Sequence, residues 1–206
     1  MQNEQGLVKI QRALLSVTDK NGLAEFANAL ANLWEVELIS TGGTASLLRQ
    51  NAIRVTDVEE YTGFPEILDG RVKTLHPKIY GGILGVPINP AHHDQMSTHG
   101  IEAIEMVVVN LYQFEKAKSK PGATHEEIIE AIDIGGPSMI RAAAKNYEFC
   151  AVVIDPDDYP MVLQEMEGHN GGLTLYTRLI LAAKAFTMIA KYDEIIAGYF
   201  APLVFL

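Results

Sequence analysis

Apolar positions along the first half of the chain follow two alternating periods. The run ALLSV (13–17) reads as a short buried strand, and VELIS (36–40), IRVTDV (53–58), MVVVN (106–110) and AVVID (151–155) repeat that pattern. Between the first two lies DKNGLAEFANALANLW (19–34), where Leu23, Phe26, Ala27, Leu30 and Leu33 share one face of a helix. TGGTASLLRQN (41–51) reads as a glycine turn into a second helix, with Thr44 as its N-cap. Strands alternating with helices predict an α/β fold, a mostly parallel sheet with helices on both faces. In such sheets ligand sites form beyond the carboxyl ends of the strands, on the loops that follow.

From 59 to about 100 the periodicity weakens. This stretch is rich in Gly, Pro and His and is too long for an ordinary connector, which predicts a functional segment or one ordered against something else. From 174 to 197, TLYTRLILAAKAFTMIAKYDEIIA reads as one long helix or two abutting ones. Its wide apolar face implies packing on the domain or on a second subunit. The expected organisation is one domain over 1–206, with a core at about 10–155 and a C-terminal helical region at about 156–200.

Composition narrows the partners. Nearly half of the 206 residues (48%) are apolar, enough for a sizeable core. The formal charge of −10 argues against nucleic acid or an anionic membrane surface as the main partner, while leaving room for a small anion held by local charge. Cys150 is the single cysteine and lies in the apolar run FCAVVI, so it reads as a buried structural thiol in a reducing compartment. No apolar run reaches the roughly 18 residues of a membrane span, and a cytoplasmic protein is expected.

The polar segments after the strands carry the candidate chemistry. In STGGT (40–44) glycines allow backbone to approach a ligand, and a helix start favours an anion, although a plain tight turn fits as well. SVTDK (16–20) occupies the equivalent place after the first strand. Thr18 or Asp19 can cap the helix there, and Lys20 beside a positive helix end makes sense with a phosphate bound. In RVKTLHP (71–77), Arg71 and Lys73 project to the same side of an extended segment, as an oxyanion site or as solvated surface. His76 there reads equally as an acid–base group or as part of a rigid turn. NLYQF (110–114) puts Asn110 and Tyr112 at a strand end. The run IDIGGPSMIRAAAKN (132–146) combines Asp133, a glycine turn, a helix start at Pro137, and Arg141 and Lys145 on one helical face. His92, His93 and His99 cluster without a metal-ligand set, and no dinucleotide, P-loop or nucleophile-elbow motif is present.

Taken together and in order, SVTDK, STGGT, GFPEILDGRVKTLHP, NLYQF, IDIGGPSMIRAAAKN and the C-terminal helical tract resemble the inosine monophosphate cyclohydrolase domain of the bifunctional purine biosynthesis enzymes. The resemblance runs from about residue 10 to about 200 and implies the methylglyoxal-synthase-like fold. It implies that Thr18, Asp19 and Lys20, with Thr41, Gly42, Gly43 and Thr44, hold the ribose phosphate of the substrate, and that Ser16 also binds substrate. Arg71, Lys73 and Thr74 would line the site, Asn110 would contact the base, and Ile134, Gly135 and Gly136 would also bind substrate. Lys73, Tyr112, Asp133 and Lys145 match the positions such enzymes use for catalysis. The resemblance further implies a purine-nucleotide precursor as substrate, no metal or cofactor, and a homodimer. In the bifunctional enzymes a formyltransferase region follows this domain; here the chain stops at YFAPLVFL, so formyl transfer is not assigned to these residues.

Two rivals share parts of this pattern. One is a methylglyoxal-synthase-like lyase acting on a triose phosphate, which would lack RVKTLHP and the long terminal helices. The other is a nucleotide-sensing regulatory module like the allosteric domain of carbamoyl phosphate synthetase, which needs a phosphate cradle but no catalytic pair.

Overall fold

The computed structural model describes residues 6–111 and 114–205. The strands are β1 (Val8–Lys9), β2 (Arg12–Ser16), β3 (Glu37–Ser40), β4 (Thr56–Asp57), β5 (Met106–Val109), β6 (Ala151–Val153) and β7 (Gly172–Leu173). The helices are α1 (Leu23–Leu33), α2 (Gly42–Gln50), α3 (Val58–Thr62), α4 (Pro77–Leu84), α5 (Pro90–Thr98), α6 (Phe114–Lys118), α7 (His125–Glu130), α8 (Gly135–Lys145), α9 (Tyr159–Gly168) and α10 (Leu175–Phe200).

Five strands form a parallel sheet in the order β4-β3-β2-β5-β6, with Leu14 opposite Ile39 on one side and Val107 on the other. The chain runs outward from β2 through β3 to β4, then crosses to β5 and β6. Right-handed crossovers therefore put α1 and α2 on one face, and α4 and α8 on the other. Helix α9 joins the first layer through Phe26 stacked on Tyr159 at 4.3 Å, and α10 joins the second by packing on α8 and β6. The α/β fold expected from the alternating pattern is the one observed. The reversal of strand order between β2 and β5 also marks where a doubly wound sheet opens a crevice.

Several elements differ from the sequence reading, each for a local reason. The expected strand at 53–58 shrinks to the edge pair β4, because Val58 already enters α3. Helix α2 starts two residues before Thr44, with Thr41 as N-cap, because Gly42 takes a positive φ of 42° and turns the chain at once. Thr44 instead faces β2, where its hydroxyl accepts from Val17 N and donates to Val17 O, both at 3.1 Å. In α8, Pro137 is the third helical residue rather than the first, since both preceding glycines enter the helix. Leu33 lies 69% exposed, off the buried face formed by Leu23, Phe26, Ala27 and Leu30.

The stretch 59–100 is mostly helical. His76 and Asn89 accept first-turn N–H groups, each followed by a proline at the first helical position, so both helix starts are well built. Helix α5 buries none of its residues, which explains why no periodicity marks it. The small antiparallel pair β1–β7 has no counterpart in the sequence reading. The C-terminal tract is one continuous 26-residue helix, capped by Thr174 accepting from Thr177 N.

One buried charge ties distant segments together. Arg178 on α10 is fully buried and donates to the carbonyls of Gly6, Tyr147, Glu148 and Leu173. Cys150 is likewise fully buried, with its thiol pushed well up by burial.

Candidate active site

The loops after β2, β3 and β5 open into a cleft of about 880 Å³ at the carboxyl edge of the sheet. Ser16, Thr18, Lys20, Thr41, Gly42, Gly43 and Thr44 line one end; Arg71, Lys73, Thr74, Asn110, Asp133, Ile134, Gly135 and Gly136 line the rest. Fifteen of the eighteen residues expected to form the site meet here; Asp19, Tyr112 and Lys145 are the other three.

At the first end, α2 begins directly after β3, so its leading N–H groups face the cleft without intrahelical acceptors. The Ser16 and Thr41 hydroxyls lie 3.0 Å apart and join the ends of β2 and β3. Lys20 folds back onto the Val17 and Thr18 carbonyls at 3.2 and 3.4 Å. This end offers a helix start, hydroxyls and one ammonium to an anion.

Asn110, expected to contact the base, lines the cleft and is bonded to the loop after β2. Its Oδ1 accepts from Thr18 N at 2.7 Å and Asp19 N at 2.9 Å, and its Nδ2 donates to Asp19 O at 2.9 Å. The side chain thus holds the β2 loop in place, and a ligand base would compete with those bonds. Asp19 itself is outside the cleft lining; its carboxylate accepts from Asn21 N at 3.0 Å as a local turn.

At the other end, Asp133 and the start of α8 form one unit. The Asp133 carboxylate accepts from Gly136 N at 2.9 Å. A Cβ on Gly136 would sit 2.5 Å from that carboxylate and 2.7 Å from Leu111, so only glycine allows this approach. Burial raises the Asp133 carboxyl above the usual carboxylate range, while the Gly136 N–H and the Lys73 ammonium pull it back. Lys73 is one-third exposed, 3.8 Å from Glu66, and its Nζ passes within 3.8 Å of where a Gly42 side chain would begin. It stands between the two helix starts. Arg71 is paired with Glu130 of α7, and both side chains are largely exposed.

Lys145 is not brought to the cleft. It lies at the far end of the 11-residue α8, about 15 Å along the axis from Gly135, on the exposed side. Spacing placed it on one face with Arg141, but Arg141 turns toward α10, with its guanidinium 5.9 Å from the Phe186 ring centroid. Tyr112 lies outside the described residues. The sequence reading missed the wall formed by Glu127, Ile129, Glu130 and Ile132. The signal for α7 was there, in the capping box of Thr124 and Glu127. Among the described residues, no group of three or more His, Cys, Asp or Glu side chains is placed to hold a metal, and no helix is long and apolar enough to cross a membrane.

A parallel sheet with its polar loops gathered at one edge defines an α/β ligand-binding domain, and comparison with known families agrees. The chain belongs to the MGS-like domain family, which matches residues 22–138, and the AICARFT/IMPCHase bienzyme family matches residues 143–203. Among individual proteins, it is similar to the bifunctional purine biosynthesis protein PurH of Magnetococcus marinus, 53% identical over 197 residues. That match covers 96% of this chain and 37% of the relative, so the chain spans little more than a third of that protein's length. The solved structure of ForH superposes with a TM-score of 0.82 at 35% identity, covering 93% of this chain and all of that one. These findings agree with the resemblance carried by the six motifs.

Proposed function

We propose that this cleft converts 5-formamidoimidazole-4-carboxamide ribotide to inosine monophosphate with loss of water. The observation that carries the reading is the meeting of a helix start at Gly42 and Gly43, suited to a phosphate, with Lys73 and the half-buried Asp133 carboxylate in one cleft. A cleft of about 880 Å³ has room for a nucleotide. The likeness to PurH supports the same reaction class.

Both reacting groups belong to one molecule, so the site gains most by holding the carboxamide nitrogen against the formyl carbon. The nitrogen attacks that carbon and gives up one proton, for which Asp133 is the acceptor. Negative charge growing on the former formyl oxygen meets the Lys73 ammonium and the N–H groups at the start of α8. The oxygen then leaves as water while the formamido nitrogen loses its proton and forms the C=N bond. The chemistry asks for positioning, a base and oxyanion donors. The presence of Lys73 and Asp133 in the same cleft favours turnover over a regulatory module, which needs the phosphate cradle alone.

The direct test is absorbance detection of inosine monophosphate from the formylated ribotide with this chain alone and no folate. Product formation is expected. Methylglyoxal from dihydroxyacetone phosphate would favour the lyase, and nucleotide binding without turnover the regulatory module. The pH profile adds a second expectation. Asp133 must be ionised to accept a proton and its carboxyl is raised, so kcat/KM falls as pH drops through a value above the roughly 3.9 of an ordinary aspartate. A rate that stays flat down to about pH 4 contradicts Asp133 as the base.

We also propose that the chain works as a homodimer in the cytoplasm. Leu175, Tyr176, Leu179 and Ile180 lie 39–72% exposed along one side of α10, and Phe186 continues the apolar surface. Lys145 contributes to catalysis only if a second copy presents it to the cleft. Sedimentation velocity at micromolar concentration should give the dimer mass, and a monomer there rules the dimer out.

A further inference from the structure

We propose that Tyr192, on α10, is a positioning residue for Asp133, an assignment that rests on the reading of the cleft given above. The Tyr192 hydroxyl accepts a hydrogen bond from Asp133 N at 2.8 Å. Asp133 is therefore held at two points, its carboxylate by Gly136 N–H at 2.9 Å and its backbone by a side chain 59 residues further along. The ring of Tyr192 is nearly buried, in a small cluster with Phe114 and Ile128 that is separate from the main core. Phe114 meets it edge-on at 6.5 Å. Ile132, beside Asp133, packs against the same cluster. The second half of the long helix thus anchors the wall of the cleft that carries the carboxylate.

A shift of one ångström in a reacting group can lower a rate on the order of a hundredfold, and a loosened backbone anchor gives a smaller part of that. Tyr192 holds the Asp133 backbone and makes no hydrogen bond to Ser16, Thr18, Lys20 or Thr41 at the anion end, so releasing it should touch turnover more than affinity. Loosening Asp133 also weakens its bond from Gly136 N–H, and it is that bond which holds the carboxyl pKa down. The charged and titratable groups facing Asp133 are Lys73, which lowers its carboxyl, and Tyr80 and Tyr192, whose hydroxyls its charge raises. With Lys73 and Tyr80 unchanged, the loss of that bond raises the Asp133 carboxyl further.

Tyr192→Phe keeps the ring and removes the acceptor. The expected result is a fall in kcat on the order of tenfold, with KM within about twofold and the acid limb of the pH profile moved to higher pH. Tyr199→Phe is the matched control: it belongs to the same cluster, and its hydroxyl contacts His125 Nδ1 at 2.7 Å near the surface. That variant should keep the wild-type kcat. A Tyr192→Phe enzyme with unchanged kcat and acid limb overturns this assignment while leaving the cyclisation reading intact. A wild-type chain that does not turn over the ribotide overturns both. Hydrogen exchange of the Asp133 amide in the wild type needs no variant: protection is expected, and free exchange at the rate of an exposed amide rules the anchor out.

Discussion

Replacing Lys73 with alanine is expected to lower cyclisation kcat on the order of a hundredfold while leaving the fold intact. The size follows from the role. Lys73 is the ammonium between the helix start at Gly42 and the Asp133 carboxylate, where charge collects on the departing oxygen. Its contact with Glu66 is 3.8 Å long and part-exposed, so its loss should cost about 1 kcal/mol of stability or less. Losing the ammonium also removes one influence that lowers the Asp133 carboxyl, so the acid limb of the residual activity should move to higher pH. Steady-state kinetics over a pH series, with thermal melts alongside, checks all three. A variant within about twofold of wild type removes Lys73 from the mechanism.

Arg178→Ala is expected to be the most destabilising single change, at about 3–5 kcal/mol. Four carbonyls from three separate parts of the chain share this guanidinium: Gly6 before β1, Tyr147 and Glu148 after α8, and Leu173 in β7. Truncation takes this donor from the buried Leu173 carbonyl and from three part-buried ones, and opens a void among them. For a chain of this length that corresponds to a fall in melting temperature of about 10 °C. Arg178→Lys should recover less than half of it, because one ammonium has three donors and no planar fork. A melting temperature within about 2 °C of wild type contradicts the account of Arg178 as a tie between segments.

What the sequence made legible follows physical range. Val107 and Val108 announce a buried strand because parallel strands are apolar on both faces, and Leu23, Phe26, Ala27 and Leu30 announce a helix by period. Placing STGGT directly after a strand was enough to expect it at the carboxyl edge of the sheet, and the cleft there joins Gly42 with Gly136, which follows α7. Helices that bury little, such as α5, carry no periodic signal. Lys145 shows a second limit. Four-residue spacing tells which face of a helix a side chain shares, not which end of the helix meets the cleft. Tyr192 and Asn110 show a third: their hydrogen bonds join residues 59 and 91 or 92 positions apart, and nothing local encodes such partners. Arg178 carries no signal in the sequence at all, since its carbonyl partners lie 5 to 172 positions away.

The geometry is tested most directly by a crystal structure of the chain with inosine monophosphate bound. The account predicts the phosphate against the leading N–H groups of α2, beside Ser16, Thr18 and Lys20, with the purine ring reaching Lys73 and the Asp133 carboxylate. Nucleotide bound elsewhere on the molecule, or in the cleft with its ring far from Asp133, would contradict it.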